Sequence, residues 1–309
     1  MLHGLGTALI TPFQKNGEVD YNALAQLLDK QIAGSVDFIV VLGTTGEAAT
    51  MTQTERDSVR DFVVNYIEQH PSPTTQQPIP LVLGVGGNCT AQVLEELKRI
   101  HDTLTQHFAA ILSVCPFYNK PSQEGLYQHF AAIAEACPVP TILYNVPGRT
   151  GVNLLPETAI RLHQTLPHKI IGIKEASGNL EQIKKVCDYH PCAAAKETSF
   201  AVFSGDDGIA AEVMDMGGAG LISVASNACP EDFGRIVHEH NHELQKQYAP
   251  FVSLLFKEGN PSGIKTVLSQ MGLIENVLRL PLVPNSDAVQ HEIQAFFQSR
   301  NCLIISTRP

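Results

Sequence analysis

Cations are scarce in this chain. Lysine and arginine total 21 against 31 aspartates and glutamates, a net charge of −10 over 309 residues, and no basic run occurs. Such a balance is repelled by nucleic acid and by anionic membranes, so neither is an expected partner. An anionic substrate would need a local cation to hold it against the global field. Long apolar runs are also missing, since stretches such as residues 38–42 fall far short of a membrane span. The N-terminus, Met1-Leu2-His3-Gly4, lacks the basic segment of a secretory signal. The cysteines (Cys89, Cys115, Cys137, Cys187, Cys192, Cys229 and Cys302) are odd in number and form no C-x-x-C pair. That spacing argues against a zinc or disulfide framework and for buried, reduced thiols. A soluble, cytoplasmic protein is the expectation.

What is present is a globular composition, 44% apolar and 17% charged, ample for a sizeable core. The length admits two domains of about 150 residues or one α/β barrel of about 250 with an appendage. Short runs rich in Val, Ile and Leu recur at 6–10, 38–42, 81–85, 109–114, 141–144, 170–174, 201–204 and 220–224. They are mostly continuous rather than alternating, as strands covered on both faces should be. Helical patterns separate them, at 21–33, 52–68, 90–105, 123–137, 156–162, 180–189 and 208–216. Thr52 before Glu55 and Pro156 before Glu157 are start signals. The seventh strand is the least defined, and 192–196 is an alternative extended segment.

Eight strands, each followed by a helix, predict an α/β fold of the (β/α)8 TIM-barrel type over residues 1–232, the eighth helix opening near Pro230-Glu231. Residues 233–309 form a C-terminal helical region, with helices at 262–270 and 287–297. Residues 70–80, with prolines at 71, 73, 78 and 80, fall in a helix-to-strand loop. Such loops lie on the face remote from barrel active sites.

A barrel builds its site at the C-terminal strand ends, and reactive groups collect there. Strand 2 leads to Gly43-Thr44-Thr45-Gly46-Glu47, strand 4 to Pro116-Phe117-Tyr118-Asn119, and strand 5 to Tyr144-Asn145-Val146-Pro147-Gly148-Arg149-Thr150. Strand 6 leads to Lys174-Glu175-Ala176-Ser177 and strand 7 to Gly205-Asp206-Asp207. Lys174 follows Ile170-Ile171-Gly172-Ile173 into the barrel mouth. An apolar mouth disfavours an ammonium and favours the free amine that attacks a carbonyl. The other reading is a lysine that snorkels to solvent or pairs with Glu175. Tyr144 is either a proton-transfer phenol or a core tyrosine with a satisfied hydroxyl. Gly43-Thr44-Thr45-Gly46 is either a cradle for a small carboxylate or an ordinary turn, and it lacks the ending of a Walker loop. Arg149 is either a carboxylate fork or a solvated surface arginine.

One motif points elsewhere. His238-Glu239-His240-Asn241-His242 satisfies H-E-x-x-H, the zinc pattern of two imidazoles on one helix face. No third ligand signature follows. In a barrel it lies on the outside, on the eighth helix or the next, where a solvated His/Glu face is the expectation.

In order and spacing, these segments resemble the dihydrodipicolinate synthase family of pyruvate-dependent class I aldolases. The similarity runs over about residues 4–290 and extends through Gly220-Leu221-Ile222-Ser223-Val224, Asn260-Pro261 and Leu278-Arg279-Leu280-Pro281. It implies a lyase of lysine and diaminopimelate biosynthesis in which Lys174 forms a Schiff base with pyruvate and the resulting enamine attacks L-aspartate 4-semialdehyde. Tyr144, Thr44 and Tyr118 would relay protons, with Tyr118 reaching across a dimer interface of a homotetramer. Thr45 would hold the pyruvate carboxylate, Arg149 that of the semialdehyde, and Gly205 and Ile222 would line the substrate. No metal or organic cofactor is implied, because the lysine itself supplies the electron sink.

N-acetylneuraminate lyases and 2-keto-3-deoxygluconate aldolases are the alternative members, but they do not carry this Pro-x-Arg-Thr continuation. A relative that binds a keto acid without catalysis would have lost part of the set Lys174, Tyr144, Thr44 and Tyr118. The resemblance also bears on feedback. Lysine-sensitive members bind the amino acid at the dimer interface through a glutamate, two histidines and a phenol. The positions aligned with these are Gln92, Gln53 and Arg56, and Phe117, while Ala49 and Asn88 are kept, which implies weak inhibition or none.

Overall fold

The computed structural model describes residues 2–189 and 199–299. Eight parallel strands close into a barrel in sequence order: β1 (Gly4–Ala8), β2 (Phe38–Val41), β3 (Leu81–Gly84), β4 (Ala110–Val114), β5 (Thr141–Asn145), β6 (Ile170–Glu175), β7 (Ala201–Ser204) and β8 (Gly220–Ser223). Closure pairs Gly4 with Gly220 through Thr7 with Ser223. It requires glycine at 220, where a Cβ would lie 2.0 Å from the Gly4 carbonyl oxygen. Strand alternation divides the core. Ala8, Phe38, Val40, Val82, Leu112, Ile142, Tyr144, Phe203 and Ile222 fill the interior, and the residues between them pack outward against helices.

The expected strands are present with small shifts. The first begins two residues earlier than 6–10. Leu9 and Ile10 are buried, but the Ile10 N–H donates to the Asn227 side chain at 3.1 Å rather than to a strand. Thr52 and Glu55 form the expected capping box of the helix Gln53–Gln69. The pattern at 90–105 is two helices, Thr90–Arg99 and His101–His107, broken at Ile100. The pattern at 208–216 is a 3-10 turn, Asp207–Ile209, followed by the helix Ala210–Asp215. Residues 192–196 lie outside the described residues, as do Cys192 and Cys302.

The eighth barrel helix, Pro230–His238, crosses the expected division at 232/233. Three helices follow: His242–Phe256, Ser262–Gln270 and Asp287–Ser299. They pack on one another, on the helix Ala210–Asp215 and on the turns after β7 and β8, and so cover one side of the barrel mouth. Among the described residues no helix is long and apolar enough to cross a membrane.

One expectation is corrected. Cys89 is exposed at the start of a helix, whereas Cys115, Cys137 and Cys229 are buried as thiols and Cys187 is half-buried. The H-E-x-x-H residues are solvent-exposed on the outside of the barrel, as expected, and they do not share one helix face. His238 ends one helix, His240 turns through φ 50°, and His242 begins the next. His238 meets Asp37 at 2.8 Å, while His240 and His242 meet the two oxygens of Asp215 at 2.9 and 2.7 Å. Among the described residues no group of three or more His, Cys, Asp or Glu could hold a metal ion.

Candidate active site

The upper interior layer sets the chemistry. Parallel register places Tyr144 of β5 beside Lys174 of β6, and Lys174 beside Phe203 of β7. Lys174 is 5% exposed and Tyr144 7%. The ammonium nitrogen lies 4.5 Å from the phenol ring centroid. Below it on β6, Gly172 lets β6 approach β7, because a Cβ there would stand 2.4 Å from the Ala201 carbonyl. The lysine therefore rises from an apolar floor with an aromatic wall, as its sequence position predicts.

Glu175 is not its partner. Alternation turns it to the outer face, where Asn145 Nδ2 donates to both carboxylate oxygens at 3.1 and 3.0 Å. Gln182 Nε2 and the Ser177 N–H donate to it at 2.9 Å each. The nearby Cys115 thiol is pushed up by burial and by the Glu175 charge, so it is no competing nucleophile.

The loop after β2 winds through a 3-10 turn at Thr44–Gly46, with Thr44 exposed, Thr45 buried, and Glu47 at φ 54°. Glu47 carries its carboxylate inward to Lys265, and both side chains are fully buried. The Lys265 ammonium also donates to the Val277 carbonyl at 3.0 Å and lies 4.1 Å from the Phe13 ring centroid. Burial pushes its pKa down to about 8 against the opposing pull of Glu47. The Arg279 guanidinium stacks on the same ring at 4.4 Å, pairs with Glu55, and donates to the carbonyls of Gly17 and Thr50. These contacts fasten the Thr44-Thr45 loop to the C-terminal region.

Arg149 sits on the short helix Pro147–Thr150, exposed, with Nη2 donating to the Asn260 backbone carbonyl at 3.0 Å. Asn260 Nδ2 in turn donates to Thr45 Oγ1 at 3.0 Å. Ile222 is fully buried in the interior cluster that includes Tyr144. Gly205 donates its N–H to the Glu175 carbonyl at 2.7 Å, and a Cβ there would strike Ala176 at 2.5 Å. Tyr118 stands apart. Its backbone, at φ 75°, donates to the Thr150 carbonyl at 3.1 Å, but the residue is 88% exposed.

The lysine and the tyrosine are thus brought together, and the two expected carboxylate binders are linked through Asn260. The sequence reading assigned no role to Asn260, Lys265 or Glu47. A lysine inside the otherwise apolar buried run Ile264, Val267, Leu268 was the available signal for the second.

The model of the dihydrodipicolinate synthetase family matches residues 1–300. The chain belongs to that family. A protein of Parabacteroides distasonis named 4-hydroxy-tetrahydrodipicolinate synthase is 45% identical over 303 residues, 95% of each chain. Two solved structures superpose closely. A dihydrodipicolinate synthase from Acinetobacter baumannii, complexed with pyruvate, gives a TM-score of 0.86 at 36% identity, covering 96% of this chain and 98% of that one. One from Cyanidioschyzon merolae, with lysine bound, gives 0.84 at 32% identity, covering 96% and 97%.

Removing one partner of the buried pair leaves a charge without compensation. Lys265→Met is expected to destabilise the protein by about 3–5 kcal/mol. Adding Glu47→Gln should recover most of that loss. Thermal unfolding of the single and double variants is the check, and equal midpoints for the two would show that charge pairing is not what the lysine supplies.

Proposed function

We propose that the chain catalyses the 4-hydroxy-tetrahydrodipicolinate synthase reaction, condensing pyruvate with L-aspartate 4-semialdehyde. The observation that carries this reading is the lone buried lysine on the inner barrel face, against Tyr144 and turned away from Glu175. The Lys174 amine attacks C2 of pyruvate, and loss of water gives an iminium. The iminium withdraws electrons, so the methyl group releases a proton and a nucleophilic enamine forms. Its terminal carbon attacks the semialdehyde aldehyde, forming the carbon–carbon bond. The substrate amine then adds to C2, closes the ring and expels Lys174. Tyr144, Thr44 and Tyr118 carry the protons, Thr45 and the turn amides receive the pyruvate carboxylate, and Arg149 receives that of the semialdehyde. Gly205 and Ile222 line the bound substrate.

The exposure of the Tyr118 ring in a single chain supports its contribution to a neighbouring copy, within a homotetramer of two dimers. A cytoplasmic setting completes the reading, with the division between barrel and helical region moved from 232/233 to the end of the helix Pro230–His238. Arg149 favours an amino-acid semialdehyde over the sugar substrates of N-acetylneuraminate lyase or 2-keto-3-deoxygluconate aldolase, since a carboxylate fork is idle opposite a polyol.

Pyruvate with borohydride should inactivate the protein by reducing an imine on Lys174. Peptide mass spectrometry that places the adduct on another lysine, or nowhere, refutes the assignment. Arg149→Ala should lower the specificity constant for the semialdehyde by roughly ten- to a hundred-fold while leaving imine formation intact. A larger loss with pyruvate would show the two carboxylate sites to be reversed.

Lysine should inhibit little. Arg56 Nη2 donates to Gln53 at 2.5 Å, so these two side chains engage each other, and of the alternative acids Glu95 and Glu96 the second is held by Arg99 at 2.8 Å. Gln92 carries no charge to meet an ammonium. Initial rates with and without millimolar lysine test this, and strong inhibition at that level would contradict it.

A further inference from the structure

Asn260 opens the turn between the helices His242–Phe256 and Ser262–Gln270, and it is 7% exposed. Its Nδ2 donates to Thr45 Oγ1 at 3.0 Å, and its backbone carbonyl accepts from Arg149 Nη2 at 3.0 Å. Its Oδ1 is buried and accepts from no donor among the described residues. A buried acceptor without a partner carries a desolvation cost that an apolar side chain of the same size would avoid. Packing therefore does not explain an amide here, and its one directional contact is with Thr45.

We propose that Asn260 is a positioning residue that orients the Thr45 hydroxyl to receive the carboxylate of pyruvate. This rests on the pyruvate reading of the site. A hydroxyl has one proton and two acceptor lone pairs. With Asn260 Nδ2 on a lone pair, the Thr45 proton points elsewhere and is available to an anion. A carbonyl or carboxylate oxygen in the place of Nδ2 would take that proton and present negative charge to the substrate. The contact with Arg149 uses the main chain, so changes in the Asn260 side chain leave it in place. The side-chain effect is thus confined to pyruvate.

The measurement is the pyruvate concentration that half-saturates borohydride inactivation, made beside steady-state kinetics. Asn260→Leu, which keeps the volume, should raise that concentration roughly ten- to a hundred-fold, with the semialdehyde KM moved less than about three-fold. Asn260→Asp, which keeps the shape, should raise it further, and it tests the same contact should the leucine variant fail to fold. In a Thr45→Val background, Asn260→Leu should add little, because the two groups act as one unit. Additive effects, an equal rise for both substrates, or an unchanged pyruvate requirement in a folded Asn260→Asp variant would overturn the proposal. Failure of the unsubstituted protein to trap pyruvate at all would instead overturn the reading of the site on which it rests.

Discussion

Consecutive residues of a strand face opposite ways, and on β6 this separates Lys174 from Glu175. Both side chains are buried, and side by side on one face they would neutralise each other. Alternation sends the lysine alone into the barrel interior, with a phenol ring beside it and, among the described residues, no carboxylate paired with it. The glutamate goes outward into a set of neutral amide donors from β5, from the turn after β6 and from the helix Leu180–Cys187. Those bonds hold β5 and β6 in register, which in turn sets Tyr144 against Lys174. On the proposed reading an amine without a counter-ion is what the imine chemistry needs, and the outer network keeps Glu175 away from it.

A second constraint comes from the far end of the chain. The Thr44-Thr45 loop ends on a residue at positive φ and has few bonds of its own. It is held instead by the buried Glu47–Lys265 pair, by Arg279 on Glu55, and by the Phe13 ring between the two cations. On the other flank the buried Asp207 carboxylate accepts from Ser223 Oγ and the Val224 N–H, joining the turns after β7 and β8. Burial pushes its pKa up to about 6 against the pull of these hydrogen bonds, which favour the charged form. Buried ion pairs add little net stability, because desolvation offsets attraction. Their directional geometry suits a loop that must present two hydroxyls.

The sequence made the barrel readable because fully covered strands appear as brief apolar runs, and the reactive rim followed from reading what lies after each run. Misreadings arose where apolar burial and strand pairing part company. Ile10 is a core residue whose N–H is bonded beyond the sheet, and the helix His242–Phe256, which carries Pro250 in its interior, was not among the expected ones. Lys174 and Tyr144 were legible because strand position alone aims them inward. Asn260 and Lys265 were not, since their roles depend on contacts across more than two hundred residues of chain. The H-E-x-x-H match shows the converse: its spacing is that of a helix face, but the chain turns within it.

The charge balance of the mouth completes the argument. In a chain of net charge −10, two anionic substrates must be admitted by few local cations. Lys265 and Arg279 are each engaged by a glutamate, so neither offers free charge. Lys174, against the Tyr144 ring, and Arg149, on the Asn260 carbonyl, have no carboxylate partner among the described residues. On the proposed reading, imine formation converts the first into a fixed iminium cation next to the pyruvate carboxylate, that internal pairing lets neutral hydroxyl and amide donors suffice for the first anion, and the arginine is left for the second. Arg149 is held through the Asn260 backbone carbonyl rather than through a carboxylate, so on that reading its full charge is available to the second anion.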